Sequence, residues 1–81
     1  MKGIEKIVKF YEDKNIVVDI EYIKEYISKR VCELGIEGTA DIEDNYFENG
    51  KKNLCYYEVK ATTTELENDD FETEIEILNV Y

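Results

Sequence analysis

The apolar positions of this chain change their period once, and the change divides it into two kinds of structure. Ile4, Ile7, Val8 and Tyr11 recur at i, i+3, i+4 and i+7. That single stripe at 3.6 residues per turn predicts a helix over about residues 3–14. Asn15 can take the left-handed conformation that closes such a helix. A second stripe, Ile20, Ile23, Ile27, Val31 and Leu34, predicts a helix over about residues 19–34. Asp19 is placed to cap its start and Val18 to staple against Ile23. Gly35 ends it, with Ile36 positioned for the apolar contact that accompanies such caps. Ile16, Val18, Ile20 and Tyr22 also alternate, so a short strand at 16–18 before a shorter helix is the competing pattern.

After Gly38 the period falls to two. "TADIEDNYF" and "NLCYYEVKATT" flank Asn49–Gly50, the dipeptide best suited to a two-residue hairpin turn. That turn pairs Ile42 with Tyr57 and Ala40 with Val59, on one face with Cys55 and Ala61. The next turn lies in "ENDD", and "FETEIEILNVY" forms the last strand. A three-residue loop at Asn68–Asp70 would set Ile75 opposite Thr63 and Ile77 opposite Ala61. Strands are thus expected over about 39–47, 52–64 and 71–80. Phe71, Ile75 and Ile77 should face the helices, and Glu72, Glu74 and Glu76 water. The expected architecture is α+β: two N-terminal helices on one face of a three-stranded antiparallel meander, ααβββ, in a single domain over residues 1–81.

Charge alters this picture more than size does. The chain has 20 acidic and 10 basic residues, a net charge of −10. Residues 1–30 hold seven Lys/Arg and six Asp/Glu, whereas residues 31–81 hold three and 14. A surface this acidic repels phosphate backbones and anionic membranes, so neither nucleic acid nor membrane is an expected direct partner. A basic protein surface is. The chain has no histidine, the commonest general base and transition-metal ligand, and only two cysteines, Cys32 and Cys55, read as reduced, partly buried thiols. No cofactor motif is present. The calcium-loop pattern fails from Asp41, where Tyr46 occupies the glycine place and Lys52 the bidentate glutamate place, and from Glu65, where Asp70 occupies the glycine place. Exposed carboxylates at loop and outward positions are ionised and give no acid–base pair. The second helix lacks the basic footprint of a DNA reader. A non-enzymatic, cytoplasmic protein is the expectation.

The candidate binding residues follow from the alternation. An edge strand must place something polar outside, and charge there discourages aggregation. The ladder Glu72, Glu74, Glu76 is tolerable for that purpose alone. Its members lie ~6.7 Å apart and repel by roughly 0.6 kcal/mol in water, less in salt. The surplus around it is not covered by that need: Glu58, Asp41 and Glu43 on the outer sheet, and Glu65, Glu67, Asp69 and Asp70 about the last turn, with mainly Lys60 to balance them. One sign of charge on a sheet face steers basic proteins toward it. Imitation of nucleic acid would need several strands to cooperate, because one Glu ladder has half the charge density of a DNA strand, at ~3.4 Å per charge. Tyr56, outward among the acids, and Tyr22, beside Lys29 and Arg30, are candidate aromatic anchors. Tyr26 is expected to pack near Phe10.

A chain of this length, rich in Ile, Lys, Glu, Asn and Tyr and lacking Pro and Trp, resembles the small acidic inhibitors encoded by phages and mobile elements, of which anti-CRISPR proteins are the best known. The segments "DIEDNYFENGKKNLCYYEVK" and "ELENDDFETEIEI" carry the likeness, which is one of size, composition and charge. It implies a stoichiometric inhibitor covering the basic, nucleic-acid-binding surface of an effector such as a CRISPR nuclease. An immunity protein or antitoxin neutralising a basic toxin is the neighbouring alternative. A self-assembling subunit, with Phe10, Tyr22 and Tyr26 as a homodimer seam, is the alternative of a different class.

Overall fold

The computed structural model describes all of residues 1–81. Helices α1 (Ile4–Glu12) and α2 (Ile20–Leu34) precede strands β1 (Gly38–Glu48), β2 (Lys51–Glu65) and β3 (Phe71–Val80). The strands form one antiparallel sheet in the order β1-β2-β3, so the architecture is α+β, ααβββ. No helix is long and apolar enough to cross a membrane.

Both helices end in the same device. Asn15 (φ 56°) and Gly35 (φ 61°) are left-handed. The N–H of the residue after each, Ile16 and Ile36, returns to the carbonyl of Tyr11 and Val31 at 3.0 Å. This pairing satisfies the terminal carbonyls of both helices. At the start of α2 the Asp19 carboxylate accepts from the N–H groups of Glu21 and Tyr22. Residues 16–18 form no strand; helix α2 begins directly after Asp19. Leu34, expected on the buried stripe, is 53% exposed because it falls in the last turn of α2, past the covered part of the sheet.

The Asn49–Gly50 turn sets the first hairpin as its chemistry requires, with Ile42 opposite Tyr57 and Ala40 opposite Val59. The second hairpin differs from expectation by two residues. Ile75 lies opposite Ala61 and Ile77 opposite Val59, because the loop spans five residues, Leu66–Asp70, closed by the Leu66 N–H on the Asp70 carbonyl. It contains a short 3-10 turn, Glu67–Asp69, interrupted by left-handed Asn68 and Asp69. A shift of two preserves the facing of every side chain, so Ile75 and Ile77 still point to the helices. Further on, one extra residue at Leu78 interrupts the ladder between Glu58 and Val59.

The core is Ile7, Tyr11, Ile23, Ile27, Val31, Ile42, Cys55, Tyr57, Val59, Ala61 and Ile77. Two features each cover part of an edge of the sheet. Tyr26 donates its hydroxyl hydrogen to the Glu43 carbonyl on the open side of β1 at 2.5 Å. On the open side of β3, Lys2 pairs in parallel with Glu76: the Lys2 N–H donates to the Ile75 carbonyl at 3.0 Å and the Ile77 N–H to the Lys2 carbonyl at 2.8 Å. Glycine is required at position 3 for two reasons. Its φ is 78°, and a Cβ there would meet the Ile77 carbonyl oxygen at 2.3 Å.

The sheet outruns the helices at the 65/71 end. Phe71 points to the helix side but is 66% exposed, because nothing reaches it. β1 has ended by then, and the Glu37 carboxylate takes its place, accepting from the Thr63 N–H at 3.3 Å.

Candidate protein-binding face

Register turns the scattered acids of the sequence into one surface. On the outer face of the sheet, Thr64 stands opposite Glu72, Thr62 opposite Glu74, and Thr39, Lys60 and Glu76 form one rank. Asp41, Glu58 and Asn79 form the next, followed by Glu43 beside Tyr56. Glu72, Glu74 and Glu76 therefore run along β3. The band crosses β2 at Glu58 and reaches β1 at Asp41 and Glu43. Opposite side chains on one sheet face are about 5 Å apart. At that separation Asp41 and Glu58 repel by roughly 0.8 kcal/mol in water before salt screening.

Lys60 and Lys2 flank Glu76, but no cation forms an ion pair with any of these acids. The molecule's ion pairs are Lys24–Glu21, Lys29–Glu33 and Arg30–Glu33, all on α2. Lys60 shares a rank with Glu76 yet makes no ion pair. The helical layer thus neutralises its own charge, while the sheet leaves its carboxylates open.

Aromatic rings lie at one end of this band. Tyr56 is half-buried, and its ring stacks on that of Tyr81 with centroids 5.7 Å apart at 29°. The backbones of the two residues exchange both hydrogen bonds. The Tyr81 hydroxyl donates to the Asp41 carboxylate. That bond, reinforced by partial burial and by the charge of Asp41, pushes the phenol up to about 12. Leu54 and Phe47 are exposed on the same face beyond Tyr56. An apolar centre beside unpaired charge is the usual make-up of a recognition surface.

Not every candidate joins this face. Glu65 lies opposite Phe71 and so on the helix side of the sheet. Glu67, Asp69 and Asp70 sit in or beside the 3-10 turn at its end. Tyr22 is 66% exposed but belongs to α2, in the opposite layer. Phe10 and Tyr26 are engaged inside the chain. Phe10 packs edge-on to Tyr11 and Tyr46 at 5.2 and 5.8 Å, and Tyr26 reaches the β1 edge rather than Phe10. A seam of Phe10, Tyr22 and Tyr26 retains only Tyr22. Cys32 is exposed, not partly buried, and Cys55 is fully buried.

One constellation escaped the sequence reading. Tyr11 and Tyr57 meet hydroxyl to hydroxyl at 2.7 Å, and Tyr57 donates to Asp44 at 2.9 Å. The Tyr57 oxygen must then accept from Tyr11, whose own oxygen is left to face the Cys55 thiol at 3.5 Å. The result is a chain of donors running Cys55, Tyr11, Tyr57, Asp44. Burial pushes both phenols and the thiol up, so all three stay neutral. Each polar atom has a partner, which makes this chain a buried tie between α1 and the sheet rather than an unsatisfied group awaiting a ligand. The inward position of Asp44, in step with Ala40 and Ile42, was the available signal.

The chain matches no protein-family model, no curated protein and no solved structure.

Proposed function

We propose that this protein is a non-enzymatic binding protein whose outer sheet face docks on a Lys/Arg-lined surface of another protein. The surface it covers is one that binds nucleic acid, so that the complex is inhibitory in the manner of the anti-CRISPR proteins it resembles. The observation that carries this reading is the segregation of charge. Cations pair with acids on α2, while Asp41, Glu43, Glu58, Glu72, Glu74 and Glu76 share a sheet face and make no ion pair. Solubility alone asks for net charge, not for six acids gathered on one face with Lys60 and Lys2 beside Glu76 alone. The Tyr56–Tyr81 stack supplies a stiff aromatic anchor at the edge of the band.

The test is a pair of pull-downs from nuclease-treated lysate of the source cell. One bait is the natural chain and the other carries Glu72→Gln, Glu74→Gln and Glu76→Gln, which keep shape and remove charge. Enrichment of a nucleic-acid-binding protein by the first and its loss with the second supports the reading. Identical lists from both baits refute it. With the partner in hand, association should slow steeply between low and physiological salt.

A further inference from the structure

The strand that bears Glu72, Glu74 and Glu76 is also an edge of the sheet, paired by Lys2 at Glu76 and unpaired before it. The Thr63 N–H turns toward Glu37 on the β1 side, and the Thr63 and Thr73 hydroxyls touch at 3.2 Å. This is the antiparallel pair that exchanges no backbone bonds, so the N–H and C=O of Thr73 point away from β2. The groups of Phe71 point the same way. Lys2 uses the Ile75 carbonyl and the Ile77 N–H and goes no further. Phe71–Glu74 is therefore a stretch of about 13 Å of open edge.

The edge has room beside it and a pattern already started. A groove of roughly 370 Å3 lies between Met1, Ser28 and the edge from Glu72 to Glu76, with Lys2 and Lys60 lining its Glu76 end. A second, of roughly 360 Å3, lies on the helix side, walled by Val31, Ile36, Thr73 and Ile75. The chain's own Lys2 stands opposite Glu76 in the bridge, a lysine added beside a glutamate on the outer face. A second copy of the chain is a poor guest. Antiparallel pairing of two β3 edges about Thr73 sets each Glu72 against the other copy's Glu74, like charge against like.

We propose that the open edge Phe71–Glu74 accepts an extended segment of a basic protein as a fourth strand. Lys or Arg flanks Glu72 and Glu74 on the outer face, and small apolar side chains turn into the groove over Ile75 and Val31. This rests on the acidic face being a docking surface and adds how the partner is held: backbone bonds give attachment, and alternate side chains give selectivity.

The probe is a fluorescein-labelled peptide, Lys-Val-Lys-Val-Lys-Val-Lys, followed by anisotropy against the full chain at low salt. Two control peptides carry backbone N-methyl groups, one on every Val and one on every Lys. A guest continuing the parallel pattern of Lys2 directs its Lys N–H groups at β3, and an antiparallel guest its Val N–H groups. Binding of the parent peptide, with a loss of about tenfold or more for one methylated peptide, is expected. Thr73→Pro, which removes an outward N–H and no charge, should weaken the parent peptide similarly while circular dichroism remains unchanged. Equal binding by all three peptides overturns the added strand, and so does no binding at all. In either case the acidic-face reading is judged separately, by whether the Glu→Gln bait loses its partner. A concentration-dependent dimer that Thr73→Pro abolishes would also overturn the proposal, since the guest would then be a second copy.

Discussion

Removing a single oxygen, by Tyr57→Phe, tests whether the buried hydroxyl chain supports the fold. Tyr57 is fully buried; it donates to Asp44 at 2.9 Å and accepts from Tyr11 at 2.7 Å. A hydrogen bond to a charged group contributes about 1.5–3 kcal/mol, and a stranded buried donor costs about 1–3 kcal/mol. Part of the second cost is recovered, because the Tyr11 hydroxyl can turn to the Cys55 sulfur at 3.5 Å. The expected loss is about 2 kcal/mol. Tyr11→Phe leaves the Tyr57–Asp44 bond in place and should lose only about 1 kcal/mol. The double variant shares one broken bond between its two halves, so it should lose less than the sum by about 1 kcal/mol. In urea, with m about 1 kcal/mol/M, the midpoints should fall by about 2 M and about 1 M with m unchanged. Equal midpoints for the two single variants, or strict additivity in the double, would refute the donor order.

The same burial sets an alkaline limit. The folded phenols of Tyr11 and Tyr57 sit above their usual 10.0, so the unfolded chain releases protons first. The stability they provide is full below pH 10 and declines above it, by about 1.4 kcal/mol per pH unit for each proton. Unfolding followed across that range by circular dichroism should show a slope that each Phe substitution lessens. Gly3→Ala should cost more than Gly35→Ala, since a Cβ at Gly3 meets the Ile77 oxygen at 2.3 Å whereas one at Gly35 meets nothing within 4 Å; about 1–2 kcal/mol is expected at Gly35 from the left-handed backbone alone, and thermal melts will rank the two. Asp19→Ala removes the cap of α2 and should cost about 1 kcal/mol by urea titration. Glu72→Gln, Glu74→Gln and Glu76→Gln together should leave stability equal or slightly higher, because only repulsion is lost; a clear fall in melting temperature would show that those carboxylates have structural partners.

How far the sequence foretold this molecule depends on the range of the interactions involved. Asn49–Gly50 and Gly35 dictate their own backbone, so the first hairpin's register and the end of α2 were legible from neighbours alone. In the second turn, Asn68 and Asp69 both adopt left-handed conformations, which these residue types tolerate, but their presence does not say how many residues the loop spans. The five-residue loop was therefore hidden, and the register came out two residues off with every facing intact. The acidic band was legible as a composition and the ladder as a period. The rank that brings Asp41 beside Glu58 required the pairing itself. Least visible was the Cys55–Tyr11–Tyr57–Asp44 chain, because it joins α1 to two strands across more than 40 positions. Yet Tyr57 at an inward position already demanded a partner for its hydroxyl, and Asp44 inward offered one.

The bridge from Lys2 to Ile75 and Ile77 has a consequence in time. It joins residues more than 70 positions apart, and α1 lies against β3, which is made after α2, β1 and β2. During synthesis α1 leaves the ribosome before the β3 side of its seat is translated. Part of its apolar stripe stays uncovered until β3 arrives. Full docking of α1 should then be a late step, limited by closure of the chain between Lys2 and Ile77 rather than by helix formation. A chain stalled short of residue 75 would keep the β1–β2 hairpin and the Tyr11–Tyr57 contact but lack the β3 side of the α1 seat and the Lys2 bridge, and proteases should cut it faster about α1.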